Sequence, residues 1–145
     1  MFEKIKKCIL SGKYYSAKEM CNKYSDHELM DNIMDFAYET ESISAFDFAQ
    51  FMWYETKTVG WIEVIVKLML NPLCFVEGAY SVALFYAREM LKIEYSIENL
   101  EQLLFFYELP EAILEREEAD NIIKNLLELD PQNHIALECF KKLHD

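Results

Sequence analysis

Apolar residues recur along this chain at the spacing of a helix, and the polar segments between them are short. From residue 26 to about residue 38, Leu29, Ile33 and Ala37 lie four residues apart on one helix face, as expected for an amphipathic helix. Ser25 and Glu28 precede that face with the spacing of a capping box, which marks a helix N-terminus. The same periodicity predicts helices at about 2–11, 13–24, 26–38, 44–55, 58–69, 76–91, 97–106, 110–127 and 132–143.

The scarcity of turn-forming residues favours the all-α class. The chain contains three Gly and three Pro among 145 residues, whereas sheets and loop-rich folds need more of both. Short links force successive helices to lie antiparallel, so we predict about eight or nine helices packed as antiparallel hairpins. The hairpins form either a right-handed stack, as in helical-repeat proteins, or a closed helical bundle. The length fits a single helical domain over residues 1–145.

Charge narrows the classes of partner. Acidic residues outnumber Lys and Arg by 26 to 14, which gives a net charge of −12. Nucleic acids and anionic membrane surfaces are bound through Lys and Arg, so we expect neither as a partner. A basic protein is the electrostatic complement. Because no secretory or membrane-spanning pattern is visible, we expect a cytoplasmic protein, and because like-charged copies repel, a monomer when free.

Acidic residues lie in rows along the predicted helices, with few bases near them in the sequence. Like charges one turn apart destabilise a helix by about 0.2–0.5 kcal/mol per pair, so these rows are either solvated faces or surfaces for a cation. The first predicted partner-binding surface consists of Asp31, Asp35, Glu39, Asp47, Trp53, Tyr54 and Glu55. The second consists of Glu98, Glu101, Glu108, Glu111 and Glu115, with Glu118 continuing the last helical row.

The helix predicted at 44–55 is too rich in aromatic residues for all of them to share one face. Phe48, Trp53 and Tyr54 point in different directions at 100° per residue, so at least one of them should reach the surface. Trp and Tyr are frequent anchors at protein interfaces. Beside the neighbouring carboxylates they would form a mixed aromatic and acidic patch.

The sequence contains no pattern typical of a catalytic, metal or cofactor site. His27, His134 and His144 are not preceded by Glu at the third position, as a di-iron bundle requires. The four Cys lack the C-x-x-C spacing of zinc sites, and no G-x-S-x-G or phosphate-binding Gly-rich loop occurs. We therefore expect no enzyme, no catalytic residues, no bound metal and no cofactor.

Two segments resemble parts of the tetratricopeptide repeat. The stretch from Gly12 through Tyr14 to Ala17 is similar to the G-x-Y-x-x-A sequence between the two helices of a repeat unit. The stretch from Ala119 through Pro131 to Ala136 is similar to the end of one repeat and the start of the next. The resemblance covers about a quarter of the chain, and the middle shows no regular 34-residue repeat. It implies stacked helical hairpins and a peptide-binding role.

In size, charge and helical-hairpin build, the chain also resembles the small, acidic, all-helical immunity proteins that neutralise bacterial toxins. This resemblance implies that acidic helix faces cover a basic nuclease-type toxin domain. Our expected function is therefore an immunity-type inhibitor. The alternative is a tetratricopeptide-like adaptor that binds a peptide or helix of a cellular partner, and a self-associating structural subunit is a third class.

Overall fold

The computed structural model describes residues 2–145 and shows an all-α protein. Within this range there are nine α-helices and no β-strand. The helices are α1 (Phe2–Leu10), α2 (Tyr14–Cys21), α3 (Asp26–Thr40), α4 (Ser44–Thr56), α5 (Gly60–Leu70), α6 (Ala79–Ile93), α7 (Ile97–Glu108), α8 (Arg116–Leu129) and α9 (His134–His144). The all-α class and the predicted number of helices are confirmed. The right-handed stacking of hairpins stays a prediction.

Two compact units are distinguished along the chain, Met1–Ala83 and Leu84–Asp145. The prediction of one domain over residues 1–145 stays a prediction. In the first unit α4 packs against α5, α3, α1 and α2. Phe48 is fully buried there and meets the ring of Trp61 edge-on, with the ring centroids 6.0 Å apart. The most apolar helix, α5, buries seven of its eleven residues, as expected for a central element.

Two glycines shape the first unit. Gly12 has φ +75° in the turn between α1 and α2, a conformation that glycine adopts without steric cost. At Gly60, the first residue of α5, a Cβ atom would lie 2.5 Å from Cε of Met30. A glycine at that position therefore allows α5 and α3 to approach closely.

In the second unit α7, α8 and α9 pack against one another. Their facing residues include Leu104, Ile123 and Cys139, which are all buried. The Arg116 guanidinium donates a hydrogen bond to the carbonyl of Leu143 at 2.6 Å. This bond satisfies one of the carbonyls that the end of α9 leaves without a partner in the helix.

The helix that the sequence predicts from Pro110 is wrong in its first part. The helix begins only at Arg116, and residues 109–115 connect α7 to α8. Within this connection Ala112 has φ +43°, which no right-handed helix accommodates, and Leu114 is completely buried. Glu117 and Glu118 then occupy the first turn of α8, where the helix dipole favours negative charge.

Candidate protein-binding surfaces

The outward side of α3 carries the most open group of predicted site residues. We call this group, Asp31, Asp35, Tyr38 and Glu39, the α3 face; all four residues are exposed. The opposite side of the helix buries Leu29, Ile33, Phe36 and Ala37. The N-terminus of the helix is capped by two reciprocal hydrogen bonds. The Ser25 hydroxyl accepts one from the Glu28 N–H at 3.2 Å, and the Glu28 carboxylate accepts the other from the Ser25 N–H at 3.1 Å. The predicted capping box is confirmed.

The carboxylates of the α3 face differ in their partners. The carboxylate of Glu39 accepts a hydrogen bond from Nζ of Lys6 at 2.9 Å, and Asp31 lies 3.4 Å from Nε2 of His27. Asp35 forms no side-chain hydrogen bond or ion pair with any residue in the range 2–145. Asp35 is therefore the carboxylate that is freest to meet a cation of another molecule.

Lys6 shows that the acidic rows do have positive neighbours in three dimensions. Hydrogen bonds to Glu39 and then to Glu3 raise the pKa of its ammonium group. Lys18 lies 3.3 Å from Glu55, Lys142 lies 3.2 Å from Glu108, and Arg88 binds Glu118 through two hydrogen bonds. Each of these four acids thus has a basic partner that is distant in the sequence.

Helix α2 covers the acidic side of α4. The Tyr14 hydroxyl donates a hydrogen bond to Asp47 at 2.9 Å, and Lys18 pairs with Glu55 two turns further along α4. Between these polar contacts, the ring of Phe51 meets Tyr15 edge-on with the centroids 4.9 Å apart. Burial, followed by the Asp47 carboxylate, raises the pKa of Tyr14 to about 12. Asp47 and Glu55 are therefore already engaged within the chain.

The aromatic pair Trp53 and Tyr54 lies at the end of α4. Tyr54 is 74% exposed and Trp53 is half-buried, whereas Phe48 is buried, which confirms that part of this aromatic helix reaches the surface. The ammonium group of Lys57 lies 4.5 Å from the Tyr54 ring centroid and 5.3 Å from that of Trp53. The chain's own cation thus occupies the aromatic surface.

The second predicted surface is divided between a helix and the connection that follows it. Glu98, Glu101 and Glu108 lie on α7, but Glu111 and Glu115 lie in residues 109–115. Glu101 accepts a hydrogen bond from the Asn133 amide at 2.9 Å, and Glu108 pairs with Lys142 on α9. The helical row expected from Glu111 to Glu118 does not form, because α8 begins only at Arg116.

One exposed aromatic residue of the α3 face is missing from the predicted surfaces. Tyr38 is 58% exposed and begins a Tyr-Glu-Thr sequence that recurs at Tyr54. Helices α3 and α4 end in the same way. The side chains of Thr40 and Thr56 donate hydrogen bonds to the carbonyls four residues before them. The residues that follow, Glu41 and Lys57, have φ near +55°. This local repeat in the sequence indicates that Tyr38 and Tyr54 occupy equivalent places.

Two of the four Cys residues, Cys21 and Cys139, are buried. Residues 2–145 contain no group of three or more His, Cys, Asp or Glu side chains arranged to hold a metal ion. All four Cys are free thiols. Burial raises the pKa of Cys21 to about 11 and also raises the pKa of Cys139, which disfavours the nucleophilic thiolate form.

Comparisons with known proteins add no family assignment, and the helices carry no membrane-crossing signal. No family model, curated protein or solved structure matches the chain. Within residues 2–145, none of the helices has both the length and the apolar character required to cross a membrane. A functional assignment therefore depends on the surfaces described above.

Proposed function

We propose that this chain is a cytoplasmic, non-enzymatic binding protein that neutralises a cationic, nuclease-type bacterial toxin. The observation that carries the proposal is the α3 face, where the carboxylates of Asp31, Asp35 and Glu39 project beside an exposed Tyr38 from one well-capped helix. The free carboxylate of Asp35 is the centre of this surface.

The face suits a basic partner for two physical reasons. Opposite charge accelerates the encounter of two proteins and aligns their surfaces, and the net charge of −12 extends that effect beyond the contacting residues. An exposed Tyr supplies a large contact area at low conformational cost, which slows dissociation. A rigid helix keeps the side chains in fixed relative positions, so little ordering is required on binding.

The other predicted residues have smaller roles in this proposal. Asp47 and Glu55 contribute to the negative potential while they remain bound to α2. A cation of the partner could contact the ring faces of Trp53 and Tyr54 that Lys57 covers only by displacing Lys57. Glu98, Glu111 and Glu115, which are exposed and unpaired among residues 2–145, form a second candidate contact. Neutralising this second set gives a matched comparison with the α3 face.

The test requires the nuclease domain of a secreted toxin encoded beside this chain's gene. The triple variant Asp31→Asn/Asp35→Asn/Glu39→Gln should reduce the association rate about tenfold or more at low ionic strength and relieve inhibition of the nuclease. The matched variant Glu98→Gln/Glu111→Gln/Glu115→Gln changes the net charge equally. An equal loss in both variants would show a nonspecific charge effect and contradict the assignment to α3. A gene neighbourhood without such a toxin would contradict the inhibitor proposal itself.

A peptide-binding adaptor is the second candidate, and one groove favours it. Helices α8 and α9 border an open groove of about 510 Å³ whose apolar lining includes Ile123, Leu127 and Phe140. At one edge His144 lies 3.2 Å from Asp120 and 4.4 Å, ring to ring, from Phe140. Micromolar binding of short peptides that Phe140→Ala abolishes would support the adaptor. Phe140→Ala should not alter inhibition of a nuclease if the α3 face is used.

A further inference from the structure

The α1–α2 hairpin contains a pocket whose charge is opposite to that of the α3 face. Its volume is about 370 Å³, within the range of small-molecule sites. The lining residues are Glu3, Lys4, Ile5, Met20, Lys23 and Tyr24. Ile5 is buried and Met20 and Tyr24 are half-buried, so the floor and walls are largely apolar while the two lysines are exposed at the rim.

Both rim lysines lack an anionic partner. Among residues 2–145, neither Lys4 nor Lys23 forms an ion pair, although the chain has nearly twice as many acids as bases. Glu19 stands four residues before Lys23, but Lys23 lies beyond the end of α2 at Cys21, and the two form no ion pair within this described range. In the same hairpin Lys6 and Lys18 are paired with Glu39 and Glu55.

The one acid in the pocket lining, Glu3, shares its lysine partner with Glu39. Oε1 of Glu3 accepts a hydrogen bond from Nζ of Lys6 at 3.2 Å. The pocket presents two ammonium groups that form no ion pair within residues 2–145, beside an apolar wall. The wall is fixed in part by the edge-on contact of Tyr24 with Phe2, whose ring centroids lie 5.9 Å apart.

We propose that this pocket binds a small amphipathic anion, with its anionic head between Lys4 and Lys23 and its apolar body against Ile5, Met20 and Tyr24. Ammonium groups form charge-assisted hydrogen bonds with carboxylate or phosphate oxygens. The apolar wall removes the hydrocarbon part of the ligand from water. The site is independent of the proposed function, because a basic protein is repelled by its two lysines.

Octanoate and octyl phosphate are the probes, and octanamide is the neutral control. Titration followed by the backbone amide signals of α1 and α2 should give saturable shifts, with a dissociation constant of about 1 mM or lower for the better anion. Preference between the two anions identifies a carboxylate or a phosphate head. Absence of saturable shifts with both anions up to about 10 mM, or equal binding of octanamide, would overturn the proposal.

Two variants separate the pocket from general electrostatic attraction. Lys4→Gln/Lys23→Gln should weaken anion binding about tenfold or more. The matched variant Lys7→Gln/Lys13→Gln removes two other lysines of the same hairpin, which form no ion pair within residues 2–145 and lie outside the pocket, and should retain binding within about twofold. Equal weakening in both variants would contradict the assignment. Binding of a basic toxin domain should not be weakened by Lys4→Gln/Lys23→Gln, so the two proposals can fail separately.

Discussion

Helices α3 and α4 end in the same Tyr-Glu-Thr sequence but present their acids very differently. In both helices the terminal Thr donates a hydrogen bond back to the helix and the following residue takes a left-handed conformation. In both, the Glu of the sequence meets a lysine of the α1–α2 hairpin, Lys6 for Glu39 and Lys18 for Glu55. The local sequence thus determines the helix end and the position of the exposed Tyr.

The difference lies in what covers each helix. Helix α2 packs along α4 and engages Asp47 and Glu55, with aromatic contacts between them. On α3 only the last acid, Glu39, has a lysine partner, and Asp35 remains free in the range 2–145. An acidic row therefore becomes a candidate interface only where no other element of the chain has neutralised it. The following predictions test this contrast from the largest expected effect to the smallest.

Replacing Phe48, the aromatic centre of α4, should cause the largest loss of stability. Phe48 is fully buried and its ring contacts those of Tyr14, Phe51 and Trp61. Phe48→Ala should lower the free energy of unfolding by about 3–5 kcal/mol, because it removes buried apolar surface and leaves a cavity. Chemical denaturation measures the change. The control Tyr54→Ala, on the exposed side of the same helix, should change it by no more than about 0.5 kcal/mol.

The N-termini of the two helices should differ in sensitivity. Ser25→Ala removes the side-chain cap of α3 and should cost about 1 kcal/mol. At α4 the N-cap residue is Ile43, which makes no capping hydrogen bond through its side chain. Ile43→Ala therefore removes no capping hydrogen bond and should lower the free energy of unfolding less than Ser25→Ala does. Similar losses in circular dichroism-monitored unfolding of the two variants would contradict the importance of the capping box.

The contact between α2 and α4 should weaken at alkaline pH. The pKa of Tyr14 is raised from the usual 10.0 to about 12, so the neutral phenol is favoured in the folded state. Its stabilisation is complete below pH 10 and is lost as the pH rises from 10 towards 12. Tyr14→Phe should cost about 0.5–1 kcal/mol near neutral pH and should remove this part of the alkaline loss. Denaturation at a series of pH values compares the two proteins.

Local signals in the sequence account for most of the helices. The capping box of Ser25 and Glu28 and the apolar spacing after it place α3 correctly, because both features act within a few residues. The connection at 109–115 was missed because Pro110 favours a helix start, whereas burial of Leu114 and the positive φ of Ala112 depend on the packed chain.

The sites were harder to predict, because the bases that neutralise the acids are distant in sequence. Lys6 and Glu39 are 33 residues apart, and Lys18 and Glu55 are 37 apart. Helical spacing cannot reveal such pairs, since it relates only residues one or two turns apart. It identifies Asp31 and Asp35 as neighbours but cannot show that α2 covers Asp47.

The smallest predicted effect has opposite signs on the two helices. Asp35→Asn relieves repulsion with Asp31, four residues before it, whereas Glu39 is already paired with Lys6; the change should raise the free energy of unfolding by about 0.2–0.5 kcal/mol. Glu55→Gln removes the ion pair with Lys18 and should lower it by up to about 0.5 kcal/mol. Both changes should shrink at high salt, which screens exposed charges.

Equal signs for these two variants would show that the contrast between a free and a covered acidic row has no energetic consequence. If the signs differ and Asp35→Asn also slows association with a basic toxin domain, the Asp35 carboxylate improves binding at a cost in stability. A residue that serves only solubility would slow that association no more than the loss of any other exposed acid, because only the net charge changes. The paired measurement thus separates a binding surface from a solvated helix face.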